Sequence, residues 1–233
     1  MADPAPAHRP QDVHEPANIG PRLREQRKQR GVSLRGLADK VGVSPSLISQ
    51  IERDKVNPSV STLWALVTEL GLTMGEVFDE TGSTEGPAPA NFEPLTGPVA
   101  TPQTRAVMNL AAGVRWERLI TGTDPLVEFV YVVYDVGGTS CPEDSLVRHG
   151  GREYGYVISG RLGIRIGFDE YELGPGGSIS FDSSAPHRLW THGDEPVHGI
   201  WVVVGRQNDP RLQRAEAERD PATALRSRIS DTS

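Results

Sequence analysis

Basic side chains are concentrated in one stretch of this chain, residues 20–60, where they could neutralise a row of phosphates. The stretch holds nine Lys or Arg residues against four Asp or Glu residues, an excess of five positive charges. Since the whole chain of 233 residues carries −7, the remaining residues together carry −12. A positive module on an acidic remainder is typical of a nucleic-acid-binding head attached to a separate body. A solvated charged surface has the same pattern, so charge by itself does not decide between them.

Two short amphipathic helices are predicted inside this stretch, on either side of a turn centred on Gly42. The first has apolar residues at helical spacing between positions 34 and 41, and Ser33 stands at its N-cap position. Ser44 caps the second helix, and Pro45 occupies its first position. Gly42 suits a tight turn because glycine adopts positive φ without strain. Helices joined in this way form a helix-turn-helix, whose second helix can lie in the DNA major groove. An ordinary helical hairpin has the same periodicity and remains an alternative.

The match of individual residues between Gly20 and Val77 is more specific than the periodicity. The matching segments are Arg22-Leu23-Arg24, Ser33-Leu34 with Leu37-Ala38, Val41-Gly42-Val43-Ser44, Ile48-Ser49-Gln50-Ile51-Glu52-Arg53 and Asn57-Pro58-Ser59. Together they resemble the DNA-binding domain of Cro/phage-repressor-like (XRE-type) regulators. The resemblance implies base contacts from the first half of the second motif helix, and phosphate contacts around it. The DNA-binding positions it implies are Arg22, Ser44, Pro45, Ser46, Ser49, Gln50, Arg53, Lys55 and Asn57.

Among these positions, Gln50 is the strongest candidate for base recognition, because a glutamine amide can form two hydrogen bonds with adenine. So small a head offers little contact area by itself. We therefore expect a homodimer that binds a palindromic operator in double-stranded DNA.

The composition of the chain changes several times along its length and predicts a multidomain α + β protein. Five short helices are expected to enclose a core of Leu23, Leu37, Val41, Ile48, Ile51, Leu63, Leu66 and Leu70. The predicted divisions are a disordered tail (1–17), a helix-turn-helix domain (18–79), a linker rich in Pro, Gly, Ser and Thr (80–104), a β domain (105–205) and a charged C-terminal tail (206–233).

Short apolar runs separated by glycine-containing turns follow the linker, with no helical stretch between them. They predict strands at residues 114–120, 127–135, 153–158, 162–166, 171–173, 178–181 and 198–204. This pattern favours an all-β antiparallel sandwich or barrel of the jelly-roll type.

Two motifs in the β domain resemble the signature motifs of cupins, which are small double-stranded β-helix barrels. The first begins with His149-Gly-Gly-Arg-Glu153 and ends at Gly160; the second runs from Gly174-Pro-Gly-Gly177 to Pro186-His187. The resemblance implies an all-α head followed by a cupin barrel, a known regulator architecture.

The resemblance also implies a metal site in the barrel. The cupin metal ligands carry over to His149, Glu153 and His187, whereas the position of a further family histidine is occupied by Val147, which cannot coordinate a metal. Two histidines and one carboxylate suit Fe(II), Mn(II) or Ni(II), and Zn(II) is also considered. Gly155, two residues beyond Glu153, is expected to leave room beside these ligands. Many regulatory cupins have lost the metal, so the alternative is that the inward histidines bind an organic effector or a backbone carbonyl.

These observations predict a cytoplasmic, sequence-specific transcriptional regulator whose barrel dimerises and senses a small molecule or metal. The alternative from another class is a mononuclear iron enzyme resembling a hydroxyalkyl phosphonate epoxidase, which has the same layout; an antitoxin-like DNA-binding protein is a third. No apolar run approaches the length of a membrane span, and the N-terminus has no signal-peptide pattern. A single cysteine, Cys141, excludes internal disulfides and is interpreted as an inert loop residue, with a redox-sensing thiol as the alternative.

Overall fold

The computed structural model describes residues 18–78, 98–122, 124 and 126–205. The predicted tails at 1–17 and 206–233, and residues 80–97 of the predicted linker, lie outside the described residues. Helices occupy the first part of the chain and strands the second, as the sequence predicts.

Five helices form the N-terminal head. They are α1 (Ile19–Gln29), α2 (Leu34–Val41), α3 (Pro45–Ile51), α4 (Val60–Glu69) and α5 (Met74–Phe78). The side-chain oxygens of Ser33, Ser44 and Ser59 each accept a hydrogen bond from the backbone N–H three residues further on, at 3.0–3.1 Å. Gly42 ends α2 with φ of 76°, in the left-handed region. The predicted caps and the helix-turn-helix geometry are therefore confirmed.

The apolar faces of the five helices meet in a single core. All the residues predicted for this core are buried except Val41, which is half-buried. Val41 packs against the edge of the core, because it lies at the end of α2, where it also lines a cleft between the head and the β domain.

Over the described residues, nine antiparallel strands form the β domain in two sheets. The strands are β1 (Val107–Leu110), β2 (Val114–Arg118), β3 (Val127–Tyr134), β4 (Arg152–Ser159), β5 (Leu162–Ile166), β6 (Asp169–Leu173), β7 (Ser178–Asp182), β8 (His187–Thr191) and β9 (Val197–Val204). The larger sheet has the order β1-β2-β3-β9-β4-β7 and the smaller one β6-β5-β8. This architecture is the predicted double-sheet β domain.

Two of the nine strands, β1 and β8, were missed by the sequence analysis. In β8 the residues that point inward are His187, Leu189 and Thr191, so two of the three are polar. A strand of this kind lacks the apolar alternation that identifies a half-buried strand. His187 is inside because it lines the cavity of the barrel, and Thr191 is inside because its hydroxyl donates to the carbonyls of Tyr134 and Asp135.

The head packs directly on one end of the barrel. Backbone hydrogen bonds cross the junction from the N–H of Ser61 to the carbonyl of Ser140 at 3.2 Å, and from the N–H of Ala111 to the carbonyl of Pro58 at 2.9 Å. Buried apolar residues of both parts belong to one continuous cluster. This contact brings α4 of the head next to the barrel cavity.

Candidate nucleic-acid interface and metal centre

The helix predicted to enter the major groove, α3, is held against the head by its apolar residues. Ile48 and Ile51 are buried, each about 1% exposed, so the opposite face of α3 is free to meet a partner. Each of the nine residues predicted to contact DNA is exposed or half-buried, and none lies in the core. They are Arg22, Ser44, Pro45, Ser46, Ser49, Gln50, Arg53, Lys55 and Asn57.

The side chains of Gln50, on α3, and of Arg53, just after its end, are positioned by hydrogen bonds to residues of α3. The amide nitrogen of Gln50 donates to the hydroxyl of Ser46 at 3.3 Å, and Arg53 Nε donates to the carbonyl of Ser49 at 2.9 Å. These contacts hold both side chains along α3. Arg22 lies on α1, where Nη1 is 3.4 Å from a carboxylate oxygen of Glu25.

A buried ion pair supports the end of α3 from α1. The guanidinium of Arg27 donates to both carboxylate oxygens of Glu52, at 2.5 and 2.8 Å, and to the carbonyl of Val32 at 2.9 Å. The hydrogen bond with Glu52 raises the pKa of Arg27. Both residues were counted among the charges of residues 20–60 in the sequence analysis. Because the pair removes one charge of each sign, the positive excess of the head is unchanged.

The second candidate site lies inside the barrel, where His149, Glu153 and His187 converge. Glu153 Oε1 lies 2.9 Å from His149 Nε2 and 3.2 Å from His187 Nε2, and all three side chains are buried. β4 carries Glu153, and β8 begins at His187. An isolated bridge between Val147 and His187 brings the start of β8 against the segment that precedes His149. The structure therefore brings together the three residues that the cupin resemblance implies.

The protonation of the two histidines is defined by their backbone neighbours. Nδ1 of His149 lies 3.1 Å from the carbonyl of Gly150, and Nδ1 of His187 lies 2.9 Å from that of Ala185. A carbonyl oxygen only accepts hydrogen bonds, so both Nδ1 atoms carry the hydrogen. Each Nε2 of a neutral ring then presents a lone pair to a carboxylate oxygen that also has only lone pairs. The arrangement requires a cation at the centre, either a metal ion or an added proton.

The separations between the donor atoms also suit a metal. Two ligands about 2.1 Å from an ion and at right angles to each other are about 3.0 Å apart. The two observed separations, 2.9 and 3.2 Å, bracket this value. The hydrogen bonds from Nδ1 to the backbone are the supporting contacts that orient metal-binding histidines. In its donor set and its geometry, the site fits a divalent transition metal.

The second oxygen of Glu153 has a different partner. Trp201 Nε1 donates to Glu153 Oε2 at 2.6 Å, which turns Oε1 towards the histidines. The ring of Trp201 lies over Gly155, where an added Cβ would come within 2.1 Å of it. The sequence analysis expected Gly155 to leave free space beside the ligands. That expectation was wrong, because the space is filled by Trp201.

The carboxylate and the imidazoles of the site shift each other's pKa values. Burial by itself would raise the pKa of Glu153, but the imidazoles of His149 and His187, which donate to the carboxylate when they are protonated, outweigh burial and lower it far below its usual range. Burial lowers the pKa of His187, yet the contact with Glu153 outweighs it, and the net shift is upward. Glu153 is therefore ionised at neutral pH and attracts a cation.

A tryptophan of the head, Trp64 on α4, reaches this site and was not anticipated. Its ring stacks on the imidazole of His149, with a centroid separation of 3.9 Å and an angle of 12° between the planes. Its edge meets Trp116 of β2 at 6.4 Å. The sequence contains a signal for it, because Val60, Trp64 and Val67 form a second apolar stripe on α4 at helical spacing.

The other reactive side chains singled out in the sequence have ordinary surroundings. Cys141 is buried, its thiol donates to the carbonyl of Ser145, and burial raises its pKa, all of which match an inert residue. His198 Nδ1 lies 2.9 Å from the hydroxyl of Tyr131, on the outer face of the larger sheet. No helix in the described part of the chain is long and apolar enough to cross a membrane.

Comparisons with known proteins match both halves of this structure. A helix-turn-helix family model matches residues 23–77, and a cupin-domain model matches residues 130–203. The chain is 30% identical over 169 residues to the HTH-type transcriptional regulator PuuR of Escherichia coli (strain K12), an alignment that covers 72% of this chain and 84% of PuuR. It is 26% identical over 176 residues to the HTH-type transcriptional regulator SutR of the same organism, covering 76% and 88% of the two chains.

A solved structure has the same architecture. The crystal structure of an HTH_3 family transcriptional regulator from Vibrio cholerae aligns with a TM-score of 0.58 at 21% identity, over 82% of this chain and 97% of that one. At this identity the likeness concerns the fold alone.

Fold and site together define a DNA-binding head of XRE type joined to a cupin barrel. The chain belongs to the family of HTH-type transcriptional regulators with a cupin C-terminal domain. It is thus a transcriptional regulator, as predicted, and its relatives favour this class over an enzyme.

Proposed function

We propose that this regulator binds a palindromic DNA operator as a homodimer, and that its barrel binds a divalent metal or a small-molecule effector that alters DNA binding. For the DNA contact, the supporting observation is the exposed face of α3, with Ser44 and Pro45 at its start and Ser46, Ser49 and Gln50 along it. Gln50 contacts a base. Arg53, on the turn after α3, contacts the phosphates of the backbone.

Residues outside α3 add contacts to the backbone of the duplex. Lys55 and Asn57 are exposed after the end of α3, and Arg22 lies on α1. These residues position the head without selecting a sequence. We expect residues 18–79 to bind DNA and residues 105–205 to bind the metal or the effector.

The DNA proposal is tested by selecting fragments of genomic DNA with the purified full chain. We expect enrichment of sites with inverted symmetry, and binding that weakens steeply as the salt concentration rises. Equal affinity for selected fragments and random competitor would contradict it.

For the metal, the supporting observation is the convergence of three lone-pair donors on one buried point. His149, Glu153 and His187 would hold Fe(II), Mn(II), Ni(II) or Zn(II), and a bound ion would order the barrel and offer a ligand position to an effector. The test is metal analysis of protein purified without chelator, followed by thermal unfolding with each metal added. We expect about one equivalent of metal per chain and an increased melting temperature. Well under one equivalent, and no thermal shift with any of the four metals, would contradict this proposal.

The iron-enzyme alternative has one structural observation against it. Trp64 lies on His149, and the remaining cavity of about 30 Å³ is the size of one water molecule. A substrate has no place beside the three ligands while the head is docked. Turnover that depends on iron, O₂ and a phosphonate substrate would favour the enzyme.

For dimerisation, the supporting observation is the outer face of β3, β9 and β4. Apolar and aromatic side chains form a continuous patch there, which we call the outer-sheet patch: Phe129, Tyr131, Ile200, Val202, Tyr154, Tyr156 and Ile158. Tyr154, Tyr156 and Ile158 are 45–48% exposed. A patch of this kind marks an interaction surface. Arg152 and Asp182, paired across β4 and β7 at one end of it, offer both charges to a two-fold-related copy.

A further inference from the structure

The cavity of the barrel is completed by the head. Val60 and Trp64 of α4, and Met74 at the start of α5, line the same cavity as the three metal-binding residues. Trp64 is only 4% exposed, and its ring covers the imidazole of His149. Trp64, a side chain of the DNA-binding domain, is therefore in direct contact with the candidate metal centre.

The size of the cavity restricts what it holds with the head docked. Its volume of about 30 Å³ suits a metal ion with its bound water, or a single water molecule. Ligand pockets for organic molecules measure roughly 300–1,000 Å³. An organic ligand therefore requires the space that the indole of Trp64 now fills.

The segment that carries Trp64 also carries the hydrogen bonds of the junction. Pro58 accepts from Ala111 just before α4, and Ser61 donates to Ser140 in its first turn. The N–H of Gly75 on α5 donates to the buried carboxylate of Glu128 on β3 at 3.1 Å. Moving α4 away from the barrel, and Trp64 with it, would therefore break the hydrogen bonds of Pro58 and Ser61.

We propose that the indole of Trp64 occupies the effector subsite of the barrel, so that binding of an organic effector on His149 and docking of the head exclude each other. This inference rests on the proposed regulatory function and names the residue that couples its two halves. An effector that displaces Trp64 frees the head, whereas a metal ion alone binds beneath the docked indole.

The surroundings of Trp64 indicate the chemical class of the effector. The group that replaces it meets the flat face of an imidazole on one side and, at a steep angle, the ring of Trp116 on another. Val60 and Met74 add apolar surface to the wall, and Glu128 and Ser140 add polar groups. The subsite thus suits a planar aromatic or heteroaromatic group of about two fused rings.

The test replaces Trp64 by glycine in the full chain and then adds free indole to the variant. In Trp64→Gly we expect the amides of Ser61 and Ala111 to exchange hydrogen about tenfold faster than in the wild type, because the junction loosens. Free indole is then titrated into the variant. We expect saturable binding, a melting temperature raised by about 3 °C, and restored protection of both amides. In the wild-type chain Trp64 must leave the subsite first, so we expect weaker binding of indole, accompanied by faster exchange at Ser61 and Ala111 instead of protection.

Trp190→Gly is the matched control. Trp190 lies on β8 but packs outside the cavity, over Gly163 and beside Arg188. Its loss also removes an indole from the barrel, yet we expect neither indole binding nor faster exchange at Ser61 and Ala111. Equal indole binding by both glycine variants, or unchanged exchange in Trp64→Gly, would overturn the proposal.

A variant that does not fold still gives a decisive result. If Trp64→Gly is unfolded, it is refolded with and without indole and followed by circular dichroism. Recovery with indole supports the proposal, and equal recovery without it, or none in either case, overturns it. No DNA is present in these measurements, so their failure leaves the operator-binding proposal intact, and the failure of DNA selection leaves the subsite intact.

Discussion

Trp201 and Glu153 form the contact that orients the candidate metal centre: the indole Nε1 donates to Glu153 Oε2 at 2.6 Å. Both residues lie on the larger sheet, where Glu153 on β4 is two positions from Gly155, the register partner of Trp201 on β9. The hydrogen bond leaves Oε1 directed at the two histidines, each of which is oriented in turn by a backbone carbonyl. Each of the three candidate ligands is therefore oriented by a hydrogen bond within the protein before a metal binds.

Removing that hydrogen bond should weaken metal binding while keeping an aromatic ring in place. For Trp201→Phe we expect the affinity for Ni(II), measured by calorimetry, to fall about 10- to 100-fold, the usual effect of losing a contact behind a ligand. Trp190→Phe, on the outside of the barrel, should leave the affinity unchanged. Equal affinity of wild type and Trp201→Phe would show that Glu153 is oriented without the indole.

Adding one methyl group at Gly155 tests the same contact from the other strand. A Cβ there would lie 2.1 Å from the Trp201 ring, so Gly155→Ala must displace the indole. We expect a loss of about 1–3 kcal/mol in the free energy of unfolding, together with weaker Ni(II) binding.

Gly163→Ala is the control for that substitution. Its Cβ would lie 2.2 Å from Trp190, a comparable clash in the other sheet. We expect a similar loss of stability in a denaturation experiment, but metal affinity within error of the wild type. A loss of affinity in both variants would mean that metal binding responds to general loosening of the barrel.

The buried pair of Arg27 and Glu52 predicts a stability effect in the head. Arg27→Ala leaves a buried carboxylate without its partner, and we expect it to cost about 3 kcal/mol in the free energy of unfolding. The double change Arg27→Met with Glu52→Leu removes both charges and should be more stable than the single variant. Urea denaturation followed by circular dichroism measures both, and a double variant less stable than Arg27→Ala would contradict the explanation.

Specificity and affinity for DNA should respond to different residues. Gln50→Ala should lose about 1–3 kcal/mol at one base pair of the operator and relax the preference there. Arg53→Ala should weaken binding to every sequence and make the salt dependence less steep. Mobility shifts with single-base variants of a selected site distinguish these outcomes. Arg161→Ala, which removes the same charge from the barrel surface, is the control. The roles are reversed if Arg53→Ala changes the preferred site and Gln50→Ala does not.

A charge placed in the outer-sheet patch should separate the dimer. For Tyr156→Glu we expect a monomer by light scattering at micromolar concentration, because an unpaired carboxylate would be buried between the copies. Tyr171→Glu introduces the same charge at an equally exposed tyrosine of the smaller sheet, 47% against 48% exposed, and should leave the dimer intact. A dimeric Tyr156→Glu would exclude this patch as the interface.

Local features of this protein were determined by the sequence itself. The serine caps and the left-handed Gly42 appear where the residues predict them, because capping and turn formation depend on neighbours within a few positions. The three candidate metal ligands followed from a motif resemblance, and the structure brings them together.

Other features were decided only by the tertiary structure. The strand β8 escaped prediction because two of its three inward residues, His187 and Thr191, are polar, and only the cavity and the backbone carbonyls that they meet explain their burial. Gly155 was expected to face free space, but Trp201, 46 positions further along the chain, fills it. The stacking of Trp64 on His149 joins two domains across 85 positions of sequence. No periodicity or motif contains that contact, because it depends on how two separately patterned domains pack together.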